Sequence, residues 1–241
     1  MIQKLKPSAG SQLSQILLCD TLHIDELPNP RIVPLFGPNG IGKSSVIKGL
    51  LEFSKEGEKP FIAKRTRNPM MIYSYCNSTD NTRVREPRSY LESFDPNYIR
   101  NKWNASAVSE GQSILYSALG LFDLIGTGKH SLSMDSPDVP ESERKEYLVL
   151  IDEIDSGLSI DNLDRIMRKL KNTARKRKDI QVIFSFNHPL VLRYFPDVIS
   201  LYTGHPIQLY TMEDMMNEIK RHEKEFRRIR YRSDGSPKVF T

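Results

Sequence analysis

The chain has 241 residues, 38% hydrophobic and 27% charged, enough to bury a full core without disulfide staples. Its two cysteines, Cys19 and Cys76, offer neither a disulfide framework nor metal-ligand spacing, and its net charge of +5 leans toward a polyanionic partner. No stretch nears the about 18 apolar residues that span a bilayer, and MIQKLKPSAGSQLSQ has no apolar signal core, so secreted mini-proteins, collagens and membrane spans are excluded and a cytoplasmic location is expected.

Residues 12–36 read as one or two early strands, with LSQILLCD and RIVPLF as the apolar runs and Pro28, Pro30 and Pro34 breaking them. A Gly-rich loop at 37–42 leads into an apolar helix through Val46, Ile47, Leu50 and Leu51. MMIYSY at 70–75 is a strand. Residues 77–104 are polar and Arg-rich. Ile114, Leu115, Ala118, Leu119, Phe122 and Ile125 repeat at helical spacing. Residues 126–142 are rich in Gly, Ser and Pro and read as a surface loop.

YLVLI at 147–151 is a continuous apolar run, as suits a strand buried on both faces of a parallel sheet. A basic helix over about 161–176 follows, then the strands QVIFSF at 181–186 and VISLY at 198–202. Strands alternating with helices predict an α/β fold with a mostly parallel central sheet flanked by helices. A last helix over about 212–230 places Met215, Met216, Ile219, Phe226 and Ile229 on one stripe, and its other face is basic. Residues 1–211 are thus expected to form one domain, with 212–241 as a basic C-terminal helix and tail.

Charge is unevenly spread. Residues 165–178 hold eight basic side chains and no acid, and residues 220–232 hold seven against Glu223 and Glu225. Nucleic-acid phosphate, an acidic effector protein and plain solubility all remain open as reasons for Arg165–Lys178 and Lys220–Arg232. Tyr73, Tyr75, Tyr90, Tyr98 and Trp103 are interleaved with arginines, as in some single-strand binders, though the first two read as core. His130, His205 and His222 are scattered and suggest no metal or nuclease cluster.

Gly37, Pro38, Asn39, Gly40, Ile41, Gly42, Lys43 and Ser44 fit G-x-x-x-x-G-K-[ST] in full, with Ser45 beside them. The motif follows an apolar strand and opens an apolar helix, the context it requires. Glycines let backbone N–H groups face phosphate oxygens, and the helix N-terminus adds partial positive charge. Lys43 is assigned to the β- and γ-phosphates of ATP and Ser44 to Mg²⁺. YLVLI then delivers Asp152 and Glu153 to a strand end, Asp152 for Mg²⁺ and Glu153 to orient or deprotonate the attacking water.

Three further elements resemble the ABC-type ATPases, a P-loop NTPase family, over residues 12–205. Val108-Ser109-Glu110-Gly111-Gln112-Ser113 is similar to the family signature LSGGQ, with Val for Leu and Glu for the first Gly. Asp155-Ser156-Gly157-Leu158-Ser159 resembles the loop written SALD or SGLD, although the final acid is Ser159 here and Asp161 follows. Asn187-His188 matches the switch histidine that touches the γ-phosphate. The resemblance implies that Ser109, Gly111 and Gln112 meet a nucleotide held by another subunit, within a helical signature region at about 77–125.

One family element departs. No Gln lies between Gln15 and Gln112, and Asn77 is the best-placed substitute as a ligand of Mg²⁺ or its water. No aromatic is assigned to the adenine, His23 being the weak candidate. The aberrant Gln region and the long 126–142 loop resemble the soluble branch, which includes chromosome-maintenance, double-strand-break-repair and overcoming-lysogenization-type ATPases. The chain is therefore expected to be an ATP-hydrolysing switch that dimerises head-to-tail around two Mg-ATP, with itself or a second ABC-type subunit. Its output, in DNA maintenance or phage defence, goes to nucleic acid or an effector. Two alternatives stand: a membrane-transporter subunit, or a nucleic-acid-binding module with a weak ATP site. The basic helix at 165–178 is expected beside the nucleotide site, with the C-terminal helix extending its patch.

Overall fold

The structure, a computed structural model, describes residues 1–52, 60–66, 70–76, 110–127 and 146–230. Ser109, Asn77, Tyr90, Tyr98, Trp103, most of the 126–142 loop and the tail beyond 230 lie outside those residues.

Two sheets form. A small antiparallel one runs in the order β2-β1-β4, from β1 (Ile2–Pro7), β2 (Leu22–His23) and β4 (Phe61–Arg65). The main sheet has the order β5-β6-β7-β3-β8-β9. Its strands are β3 (Ile32–Phe36), β5 (Met70–Cys76), β6 (Glu146–Asp152), β7 (Ile180–Ser185), β8 (Asp197–Ser200) and β9 (Pro206–Gln208). All neighbours are parallel except β8 and β9. The expected α/β class, a mostly parallel sheet flanked by helices, is the one observed.

The helices are α1 (Gln12–Ile16), α2 (Lys43–Glu52), α3 (Glu110–Thr127), α4 (Ile160–Lys176) and α5 (Met212–Arg230). Crossovers between parallel strands are right-handed. The step from β3 to β5 runs one way across the sheet and the steps β5 to β6 and β6 to β7 run the other. That places α2 on one face and α3 with α4 on the opposite face, where those two helices pack together. Every residue of β3, β6 and β7 is buried, as the continuous apolar runs require.

Several expectations are corrected. LSQILLCD does not make a strand: Ser11 caps α1 by accepting the Ser14 N–H, and Leu13 turns into the core. The strands β1, β4 and β9 went unread because β9 has only three residues and lysines or arginine interrupt the apolar pattern of β1 and β4. On α5, Met216 faces outward, and Glu218 takes the buried position one turn after Met215. Glu218 is tolerated there because Arg221 and His222 both reach its carboxylate.

Buried polar side chains join the two sheets: Glu146 in β6 meets the Met1 ammonium and the Thr66 hydroxyl, and Gln181 in β7 meets β1. Gln181 in β7 accepts the Ile2 N–H at 2.7 Å and donates to Ile2 O at 2.8 Å and Pro30 O at 2.7 Å. Leucine fits the same volume but leaves all three backbone groups without this partner. Gln181→Leu should therefore lose about 2–4 kcal/mol of stability in urea unfolding. An unchanged midpoint would remove Gln181 as a tie between the sheets.

Candidate functional site

The strand register assembles the site. Leu35 pairs with Ser185, and Phe184 pairs with Ile151. The carboxyl ends of β3, β6 and β7 therefore lie side by side, which puts Gly37, Asp152 and Ser185 on one edge. Ligands of open parallel sheets sit at that edge. β5 ends there too, with Cys76 paired to Asp152, one residue before Asn77.

Residues 37–44 link β3 to α2 as the motif demands. Gly40 and Gly42 have φ of 81° and 110°, backbone that side-chain-bearing residues rarely adopt. Lys43 opens α2 and is 7% exposed. Its Nζ donates to Gly37 O at 2.6 Å and to Asn187 Oδ1 at 2.9 Å. Burial pushes its ammonium down to about 8, against the pull of Asp155, Asp152 and Glu153.

Ser44 and Asp152 meet across the site, the hydroxyl donating to Asp152 Oδ1 at 3.1 Å. Adjacent ligands of an octahedral Mg²⁺ with bonds of about 2.1 Å lie about 3 Å apart. The pair thus fits the ion the sequence assigned to it. Ser185, absent from the sequence-derived site, completes this corner. Its buried hydroxyl donates to Asp152 Oδ1 at 2.6 Å and accepts the Glu153 N–H at 2.7 Å.

Glu153 is the one non-glycine residue with positive φ among the described residues, at 53°. This left-handed conformation costs about 1–2 kcal/mol and is held by Ser185, whose hydroxyl and carbonyl take the Glu153 and Ile154 N–H groups. It turns the Glu153 side chain toward the phosphate loop. Asp155 Oδ2 then accepts the backbone N–H groups of Asn187 and His188. His188 Nδ1 accepts the Leu190 N–H at 3.0 Å, so the ring proton belongs on Nε2, the edge left for a ligand.

A cavity of about 440 Å³ opens over this edge. Pro38, Asn39, Gly40, Gly42, Lys43, Ser44, Ser45 and Glu153 line it, as the sequence expected. Gln12 and Ile16 of α1, with Ser185, also line it and were not foreseen, and Asn187, named in the sequence only beside His188, lines it as well. Ile41 is buried beneath the loop and packs on Gly37 instead. Gly111 and Gln112 sit on the first turn of α3, and Gln112 does not line this cavity. The next residues of α3 abut the Asp155–Ser159 turn, where Ile114 lies against Gly157. His23, the candidate for adenine, is also outside the cavity and stacks on His205 instead.

The basic segments do not form one patch beside the site. α4 runs antiparallel to the strands, so its basic end reaches the opposite edge, where Arg31 at the start of β3 donates to Ala174 O and Arg177 O. The later turns of α5 lie near the carboxyl end of β8, where His222 stacks on Tyr202. Arg168, Lys169 and Arg177 are paired with Asp164, Asp123 and Asp179, and Arg221 and Arg227 with Glu218 and Glu223. Tyr75 is core and Tyr73 packs partly buried against it, as expected.

Ser185→Ala tests the corner directly. Glu153 and Asp152 lose their common brace while the phosphate loop is untouched. On the function proposed below, ATP turnover is expected to fall about 10- to 100-fold with nucleotide affinity nearly kept. Equal loss of affinity and turnover would instead make Ser185 a binding residue.

No family model and no curated protein matches the chain. Solved structures do overlap with it. The ATP-binding subunit of an ABC transporter is 16% identical, covering 94% of this chain and 99% of that one, with a TM-score of 0.49. A dimeric ATP-binding cassette in a post-hydrolysis state with ADP and phosphate is 15% identical, covering 87% and 99%, with a TM-score of 0.42. A subunit of an ABC transporter complex from Clostridium perfringens is 12% identical, covering 81% and 85%, with a TM-score of 0.40. The geometry of the site, and not these overlaps, carries its reading. Among the described residues no helix is long and apolar enough to cross a membrane.

Proposed function

We propose that the chain is an ATP-hydrolysing switch of the ABC type. The observation that carries this reading is the convergence of Lys43, Ser44 and Glu153 on one cavity at the carboxyl edge of the sheet, with buried Asp152 accepting the Ser44 hydroxyl behind it. Lys43 binds the β- and γ-phosphates, with Gly37–Gly42 backbone N–H groups around them. Ser44 and Asp152 hold Mg²⁺, which screens phosphate charge when bound. Glu153 orients the attacking water and takes its proton. His188 offers its Nε2 proton to the γ-phosphate. Asp155 joins the Asp155–Ser159 turn to the His188 segment, so a change at the phosphate reaches the loop beside α3.

Ser109, Gly111 and Gln112 serve a second nucleotide site across a dimer, contributed by another copy or a related subunit. The face bearing α3 receives that partner. The switch passes its state to nucleic acid or an effector protein, in DNA maintenance or defence against phage. The basic end of α4 and the basic turns of α5 are separate surfaces for such outputs.

The experiment is turnover of Mg-ATP by the purified chain, with solution mass measured with ATP, with ADP and without nucleotide. Hydrolysis together with an ATP-dependent mass increase supports the switch. Tight salt-dependent nucleic-acid binding that ignores nucleotide, with no turnover, would replace it by a binding module.

A further inference from the structure

Away from the nucleotide cavity, His23, Glu26 and His205 come together, contrary to the expectation that the histidines are scattered. His23 ends β2, Glu26 closes the 3-10 turn that follows, and His205 lies in the tight turn between β8 and β9. The imidazoles stack with centroids 4.2 Å apart and planes 13° from parallel. Their Nδ1 atoms address one carboxylate: His23 Nδ1 is 3.0 Å from Glu26 Oε1 and His205 Nδ1 is 2.8 Å from Glu26 Oε2.

The backbone fixes this meeting. His23 N–H donates to Gly204 O at 2.8 Å. Gly204 has a φ of 78°, and a Cβ there would stand 1.9 Å from the Thr21 carbonyl oxygen. Only glycine lets the two segments approach this closely, so both imidazoles are brought to Glu26 before any ligand arrives.

We propose that His23, Glu26 and His205 form a transition-metal site, for Zn²⁺ in preference to Mg²⁺, that clamps the small sheet to the β8–β9 turn. Two imidazoles and one carboxylate are a borderline-soft donor set, which suits zinc and not a hard oxygen-seeking ion. The candidate ligand atoms lie within 4.8 Å of one another. Tetrahedral zinc needs its ligands about 3.3 Å apart, so the two His–Glu spacings are close to what the ion requires, and the rings must turn out of their stack for both lone pairs to converge on it. The groups facing the site are Lys4, whose Nζ is 3.3 Å from His23 Nδ1, and Asp25 beside it. Lys4 is a third exposed and 3.9 Å from Asp25, so its ammonium can swing to that carboxylate as the ion enters. Water completes the coordination, since His205 and Glu26 are exposed.

The test titrates the full chain with ZnCl₂, and with CoCl₂ for its visible absorption, in excess Mg²⁺ and without nucleotide. Wild type is compared with His205→Gln and Glu26→Gln, both exposed enough to fold. One equivalent of Zn²⁺ is expected to bind with release of protons, and each variant should bind about 10- to 100-fold more weakly. Cobalt should give the intense bands of a four-coordinate site in wild type only. Zinc should raise the unfolding temperature of wild type and not of the variants. Equal binding by all three proteins, or none in wild type, overturns the proposal and leaves a hydrogen-bonded His–Glu–His cluster.

Discussion

The Glu153→Gln protein should bind Mg-ATP and fail to hydrolyse it. Turnover is expected to fall about 10²- to 10⁴-fold, the usual share of a positioned general base. Glutamine keeps the shape, and its backbone N–H still donates to Ser185 Oγ, so the left-handed conformation at φ 53° survives. Only the proton acceptor disappears. ATP affinity should change little, because Lys43, Ser44 and the loop glycines are untouched. If the proposed dimer forms around ATP, the trapped complex should have twice the monomer mass with ATP, and the monomer mass with ADP or no nucleotide. A monomer with ATP bound would mean that the second half-site comes from a different subunit. Undiminished turnover would remove Glu153 from the chemistry.

The phosphate loop was legible because its information is local. Gly37–Ser44 is a contiguous pattern, and its flanking apolar strand and helix can be read from the same few residues. Asp152 and Glu153 were legible for a similar reason, since YLVLI has no other role than a buried strand. Ser185 was not. A serine at the end of QVIFSF looks like any strand end until the register sets Leu35 beside Ser185 and Ile151 beside Phe184. The signal available was a hydroxyl at the carboxyl end of a buried strand, which is where ligand-side polar groups emerge.

Charge and histidine patterns failed in a different way. Residues 165–178 are dense in cations along the chain, yet α4 carries them away from the phosphate loop because a crossover helix runs antiparallel to its strands. Direction, not composition, decided which edge they reach. His23 and His205 come from opposite ends of the chain, and only the Gly204–Thr21 approach brings them together. The stripe on α5 was misread at Met216 because a buried Glu218 is an unfavourable guess without Arg221 and His222 in view.

Lys43→Met should abolish ATP turnover while leaving the nucleotide-free protein as stable as wild type or more so. The ammonium is 7% exposed, and burial lowers its pKa from 10.5 to about 8. That shift corresponds to about 3 kcal/mol of preference for the neutral amine. Methionine fills the same channel without the desolvation cost, and loses the hydrogen bonds to Gly37 O and Asn187 Oδ1. The two changes leave a net gain of about 0–2 kcal/mol. The sign with pH follows from linkage. Below about pH 8 Lys43 is charged in both states and its cost is fully present. Between there and the unfolded value the unfolded chain holds a proton that the folded chain has released, so wild-type stability rises with pH across that window. The difference in unfolding free energy, wild type minus Lys43→Met, should therefore climb between about pH 8 and pH 10.5. Phosphate reverses the preference. ATP restores charge to Lys43, so wild type binding ATP near pH 9 should take up a proton, seen as a buffer-dependent heat in calorimetry. At ATP about 100-fold above Kd wild type should gain about 2.7 kcal/mol of stability that the variant lacks. A variant that retains the ATP-induced gain would show that Lys43 does not hold the phosphates. A difference flat with pH would show that its buried ammonium is not desolvated.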